Sequence, residues 1–328
     1  VSKNTSENRN ATGESNSKVS VVIPAYNHEE FVVEAIESVL TQDYPSIELI
    51  VINDGSTDKT GEKIEGYLKE HGDKFKYISR EVKDNAGLIQ TLNNGLELSS
   101  GEYFLELASD DVLLPGSITK RVECIRSNPE LDAVFADAFE LHGDEVSEES
   151  FFSKRTPYVS TEHSVIDMLA GKARFSISTG IFKLSFLKKL GGFDADFRDF
   201  EDLSIKYRIA MQGNVSYLDE AVLLHRIHEA NVSKCSRLTL RRESALAVEK
   251  LYVIKKKKPS GVYVRKRLMG EYLKYFLLCY KFEYGSGAFL DGLIQGLKIP
   301  RLFIAMCVDR RLKRSLSDDY VPRQGFKG

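Results

Sequence analysis

Three polar clusters close apolar, strand-like runs within the first 111 residues, and their side chains are of the kind that hold a base, a ribose and a divalent cation. Pro24-Ala25-Tyr26-Asn27 follows the run 19–23. Asn53-Asp54-Gly55-Ser56-Thr57-Asp58 follows 47–52, and Ser109-Asp110-Asp111 ends the run 103–108. In an open α/β sheet, ligands bind beyond the carboxyl ends of parallel strands. Asp54 stands directly after a buried strand, where a carboxylate can accept the imide N–H of uracil or thymine, and Gly55 permits close approach. Ser56 and Asp58 also suit the N-terminus of the next helix, and the two uses are compatible. The adjacent carboxylates of Asp110 and Asp111 repel each other. Mn²⁺ or Mg²⁺, bound by one or two carboxylates and the phosphate oxygens of a substrate, relieves that repulsion. The chemistry indicated is that of a sugar nucleotide.

Alternating strand and helix patterns must position these clusters. Asn27 with Glu30 three residues on has the form of a capping box, and Val32, Ile36, Val39 and Leu40 then make one apolar stripe. Further helices are predicted over 59–71, over 88–98 with Ile89, Leu92 and Leu96 on one face, and from Pro115 with Ile118, Val122 and Ile125. Strands are predicted at 75–79, 133–140, 175–182, 215–218 and 221–227. The near-continuous apolar character of 47–52 suits a parallel strand covered on both faces. Repeated units of this kind predict an α/β fold with a doubly wound, mostly parallel, Rossmann-like sheet. The stretch 142–161 is long and aperiodic for a connection and reads as a mobile segment or a lid. A short helix over 184–190 ends at Gly191-Gly192, and a helix over 201–212 begins with Glu201-Asp202. Those two acids suit a helix N-terminus electrostatically and equally suit a general base. His28 and His163 are expected at the surface.

The ordered series of motifs resembles the family 2 inverting glycosyltransferases of the GT-A fold over roughly residues 18–233. To the clusters above it adds Asn85-Ala86-Gly87, Asn93-Asn94-Gly95, Gly101-Glu102-Tyr103, Pro115, Gly191-Gly192-Phe193-Asp194, Glu201-Asp202, Arg226-Ile227-His228, Asn231 and Ser233. The resemblance implies that Asp54 binds the nucleobase, with Pro24, Ala25, Tyr26, Asn27, Asn85, Gly87 and Ser109 around the nucleotide. It implies Asp110 as principal metal ligand, Asp111 close to the sugar or ribose and also at the metal, and His228 at the metal or diphosphate. It further implies Asp202, beside Glu201, as the base on the acceptor hydroxyl. Ser178-Thr179-Gly180 is a candidate acceptor wall, because Gly180 would let a sugar approach the backbone. Two positions depart from the family pattern: Ala108 stands where an acid is usual, and Leu92 where an Arg is frequent. The implied donor is a UDP-sugar, with a dTDP-sugar next, and the implied acceptor a glycan or lipid-linked saccharide of the cell-surface type. A catalytically impaired nucleotide-sugar scaffold and a nucleotidyltransferase are the competing readings; the latter would normally carry a Gly-rich phosphate loop where Pro24-Ala25-Tyr26-Asn27 stands.

Composition bounds the remainder. Hydrophobic residues at 42% and charged residues at 29% are ordinary for a globular protein. The net charge of −2 hides an asymmetry: from Ser236 onward about 21 Lys and Arg face about 8 Asp and Glu, which leaves residues 1–235 acidic. Three regions are expected: a disordered segment 1–17, a GT-A domain over 18–235 split near 115 into nucleotide and acceptor halves, and a basic helical region over 236–328. The basic, Tyr-rich helices suit either an anionic membrane surface or a homodimer interface, and no nucleic-acid signature is present. Cys124, Cys235, Cys279 and Cys307 form no metal-ligand spacing, and no apolar run reaches the ~18 residues of a membrane span. A reduced, cytoplasmic setting is therefore expected, either free or, where the basic helices meet a membrane, peripheral on its inner face.

Overall fold

The computed structural model describes residues 17–151, 156–157, 173–174, 176–197, 201–229, 231, 243–244 and 246–247. The segment 1–16, residues 152–155 and 158–161 of the expected lid, and the basic region expected over 236–328 apart from 243–244 and 246–247 lie outside the described residues, as do His163 and Ser233. A twisted sheet forms the centre, in the order β3-β2-β1-β4-β10-β6-β11-β5, with β7 paired to β6. Its strands are β1 (Val19–Ala25), β2 (Ile47–Asn53), β3 (Lys76–Ser79), β4 (Tyr103–Glu106), β5 (Val112–Leu113), β6 (Ala133–His142), β7 (Glu145–Val146), β10 (Ile181–Lys183) and β11 (Val215–Arg226). A separate short pair joins β8 (Thr156–Pro157) to β9 (Ala173–Arg174).

β3, β2, β1 and β4 run parallel, so Ala25, Asn53, Ser79 and Glu106 end at one edge of the sheet. Alternation along β1 explains why both faces are covered. Val19, Val21 and Ile23 pack under α1 (Val32–Leu40), α2 (Thr60–His71) and α4 (Ser117–Ser127). Val22 joins Ile50, Ile52 and Phe104 under α3 (Leu88–Leu98), α5 (Leu184–Leu190) and α6 (Glu201–Gln212). The stripes expected on α3 and α4 are the buried ones: Ile89, Leu92 and Leu96, then Ile118, Val122 and Ile125.

Three local expectations change. α1 begins at Val32 without a side-chain cap, because Asn27 sits at φ +53° and its Oδ1 accepts instead from the Thr57 N–H at 2.7 Å. The strand expected over 175–182 is a 3-10 turn, Ile177–Thr179, followed by the short β10. Arg121, fully buried on α4, donates to the carbonyls of Thr179 and Gly180 and so removes them from any strand ladder. The two strands expected over 215–227 are one, β11, with irregularities near Tyr217 and Ala221 that absorb the polar Asp219-Glu220 step.

Candidate active site

Asp54 directly follows β2 as a buried residue, and its carboxylate is held by three protein donors. Oδ1 accepts from Arg80 Nη1 and from the Ala86 N–H at 3.0 Å, and Oδ2 accepts from the Gly87 N–H at 2.7 Å. Asn85 Nδ2 binds the Asp54 carbonyl at 2.6 Å. Gly55 is glycine for two reasons. Its φ is +71°, and a Cβ would lie 2.7 Å from the carbonyl oxygen of Glu81. Pro24 and Ala25 are buried in β1, while Tyr26 (47% exposed) and Asn27 open to solvent at the same edge. Leu92 is wholly in the core, so the guanidinium in this neighbourhood is that of Arg80 from the end of β3.

A second group forms where the β1–α1 loop meets the end of β4. The backbone N–H groups of Asn27, His28 and Glu29 donate to Ser56, Thr60 and Asp58 respectively, at 3.1, 2.8 and 3.0 Å. These bonds turn the His28 ring inward, where Nδ1 lies 2.7 Å from Ser109 Oγ and 3.9 Å from Asp110 Oδ1. His228 arrives from β11. The antiparallel register Leu224↔Val112 sets the residues after β11 beside Asp110 and Asp111, and His228 Nε2 reaches Asp110 Oδ2 at 2.9 Å. Asn231 holds that oxygen too, at 3.3 Å, and accepts the His228 N–H at 2.6 Å. One ligand atom from each of His28, Asp110 and His228 lies within 4.8 Å of the others. Burial lowers the His28 pKa, and the neighbouring His228 adds to that, against the opposing pull of Asp110. A neutral imidazole is the form that can ligate a metal.

Asp111 turns the other way. It is 1% exposed, accepts the Arg226 N–H at 2.9 Å and faces His225 Nδ1 at 3.1 Å. Burial opposes a proton on His225, but the hydrogen bond and charge of Asp111 outweigh it and raise its pKa. Arg226 completes the brace, donating from Nε to the Asp110 carbonyl at 2.9 Å and from Nη2 to Glu34 at 2.5 Å. Of the three metal positions expected from sequence, Asp110 and His228 therefore come together and Asp111 does not. The third place is taken by His28, which is half-buried rather than at the surface.

The acceptor side begins at α6. Asp202 stands in its first turn and pairs with Lys206 one turn on; Glu201 opens the helix, and its side chain lies outside the described residues. The Gly191-Gly192-Phe193 turn ahead of it is locked from two directions. Asn93 exchanges two hydrogen bonds with the backbone of Phe193, each 2.8 Å, and Arg208 donates to the carbonyls of Leu190 and Gly192. Thr179 is buried, and a Cβ on Gly180 would lie 2.6 Å from the Phe182 ring. Aromatic packing thus accounts for that glycine without a sugar.

Glu106, which the sequence reading passed over, ends β4 inside the core. It is 3% exposed, and its Oε2 has no partner among the described residues. Burial first, then the charges of Asp202 and Asp111, push its pKa up to about 8. The folded-state value lies above that of the unfolded chain, so this group's penalty is absent below about pH 4.3 and grows as pH rises towards 8. Glu106→Gln is expected to raise stability by about 4 kcal/mol at pH 8 and by almost nothing at pH 4. Urea melts of both proteins across that range measure the difference; equal gains at both pH values would show that Glu106 is not the titrating group.

Comparison with known proteins agrees with this architecture. Residues 20–174 match the model of glycosyl transferase family 2. An uncharacterized glycosyltransferase of Rickettsia typhi is 31% identical over 231 residues, 70% of this chain and 70% of that protein. The Staphylococcus aureus TarS fragment 1–349, solved with UDP-GlcNAc, superposes with a TM-score of 0.60 at 20% identity, covering 81% of this chain and 73% of that one. A Pyrobaculum calidifontis mannosyltransferase, solved with GDP-Man and Mn²⁺, gives 0.55 at 17% identity, covering 93% and 89%. The chain belongs to glycosyl transferase family 2, and its fold is of the GT-A type. No helix among the described residues is long and apolar enough to cross a membrane.

Proposed function

We propose that the chain moves a sugar from a UDP-sugar, or next a dTDP-sugar, to a hydroxyl of a glycan or lipid-linked saccharide with inversion at the anomeric carbon. One observation supports this reading: Asp54 and the His28–Asp110–His228 group both lie beyond the carboxyl ends of β2, β1 and β4, and the charge of Asp202 acts on Glu106 at the end of β4. The base sits at Asp54, with Tyr26, Asn27, Asn85 and Gly87 around it. His28, Asp110 and His228 hold a divalent cation. Two imidazoles and one carboxylate suit Mn²⁺ better than Mg²⁺, which prefers oxygen ligands and keeps its water. When bound, that cation neutralises charge on the diphosphate leaving group. Asp202 faces the opposite side of the sugar and accepts the proton of the acceptor hydroxyl. The hydroxyl oxygen forms its bond to the anomeric carbon as the bond to phosphate breaks, and the electron pair leaves on the diphosphate. A single displacement of this kind inverts configuration.

Thermal-shift titration against UDP-, dTDP-, GDP- and ADP-sugars, with and without Mn²⁺, tests the reading. UDP-sugars are expected to raise Tm only with Mn²⁺ present, by an amount set by mass action, and EDTA is expected to reverse the shift. No response to any nucleotide sugar in either condition would overturn it.

A further inference from the structure

This inference rests on the reading that Asp54 meets the nucleobase, and it concerns how the base is chosen. An ionised carboxylate only accepts, with about four lone-pair directions on its two oxygens. Protein donors already occupy three of them at Asp54: Arg80 Nη1 and the Ala86 N–H on Oδ1, and the Gly87 N–H on Oδ2. One direction is left, on Oδ2. A single acceptor site takes a single N–H, which is what the imide of uracil or thymine offers between its two carbonyls. Guanine presents two adjacent donors on that edge and needs both oxygens. Cytosine and adenine present a ring nitrogen lone pair, which a carboxylate repels.

Arg80 is placed to set that count. Its Nη1 bridges Asp54 and Thr91 Oγ1 on α3, the latter at 2.6 Å, so the guanidinium is fixed from two elements. The close packing of Gly55 on the Glu81 carbonyl keeps the backbone after Arg80 against the loop that carries Asp54. Arg80 Nε and Nη2 have no partner among the described residues, and neither is among their buried unpaired atoms. The Arg80 side chain is 16% exposed against 5% for Asp54, so it is the more open member of the pair. A carbonyl flanking the imide N–H could accept from these spare donors. The geometry points to Arg80 as a specificity-determining residue that closes one oxygen of Asp54 to base donors and offers N–H groups to a pyrimidine carbonyl, selecting uracil or thymine over guanine.

Calorimetric binding of UDP, dTDP, GDP and CDP with Mn²⁺ to the full chain tests this, using wild type, Arg80→Met and Thr91→Val. Wild type is expected to prefer UDP and dTDP to GDP. Arg80→Met keeps most of the volume but no donor, and is expected to lose about 10–100-fold in UDP affinity, the worth of one or two charge-assisted hydrogen bonds. GDP affinity is expected to hold or rise, so the ratio collapses. Thr91→Val, which frees the guanidinium without removing it, is expected to lower the same ratio by less and covers the case in which Arg80→Met fails to fold. An unchanged UDP-to-GDP ratio in both variants overturns the role of Arg80. Wild type binding GDP as tightly as UDP, with Asp54→Asn abolishing both, overturns the selection but leaves Asp54 as the base site. Binding of no nucleotide by wild type overturns the proposed function and this inference together.

Discussion

Asp202→Asn is expected to lower the rate of sugar transfer about 10²–10⁴-fold, the usual contribution of a positioned general base, while donor affinity stays within about twofold. The two effects separate because the residues lie on different elements. Asp202 is carried by the first turn of α6, and the residues proposed to hold the donor come from loops after β1, β2, β4 and β11. The asparagine keeps the shape of the side chain and can still accept from Lys206, so α6 retains its start. What it loses is the capacity to take a proton. Single-turnover transfer and donor calorimetry on the same preparation read the two quantities. Equal loss of both would assign Asp202 to donor binding or folding and remove it as the base.

Much of this arrangement was legible in sequence, and what was not has a physical cause. The parallel strands β1, β2 and β4 announce themselves because they are covered on both faces and so read as apolar runs. The polar residues that follow must then fall at one sheet edge. The antiparallel insertion of β10 between β4 and β6 depends on long-range pairing, for which a local pattern carries no signal. His28 was misplaced for a similar reason. As a polar residue before a helix it looks solvated, and only the hydrogen bonds between the loops at 27–29 and 56–60 turn it inward. Arg80, at the end of an edge strand, reads as an ordinary surface cation until its partner is known.

Glu106 is a different case, since its signal was present. A lone acid within the apolar run Phe104-Leu105-Glu106-Leu107-Ala108 breaks the local rule that buried positions are apolar, and such breaks concentrate at functional sites. The carboxylate missing at Ala108 and the one gained at Glu106 are two residues apart on the same segment. Asp110 and Asp111 carry the opposite lesson. Adjacent residues in a turn share a motif but not a direction, so one carboxylate faces the histidines while the other braces β11.

That opposition gives the second large effect. Asp110→Ala is expected to weaken Mn²⁺ binding by at least about 100-fold, since even outer-shell partners of metal ligands are worth about 10–100-fold, and to abolish the Mn²⁺-dependent part of donor affinity. The fold should survive, because the backbone carbonyl that Arg226 holds is retained. Asp111→Ala should do the reverse. It leaves the Arg226 N–H and His225 without their buried acceptor, which costs about 1–3 kcal/mol or more for charged groups, so the melting temperature falls while Mn²⁺ affinity of the folded fraction changes little. Mn²⁺ titration followed by electron paramagnetic resonance, alongside thermal melts, separates the two. Unaltered Mn²⁺ affinity in Asp110→Ala would dismiss the His28–Asp110–His228 group as a metal site. Equal loss of affinity in both variants would place the cation on the carboxylate pair instead, and would require the Asp111 side chain to leave His225 when metal binds.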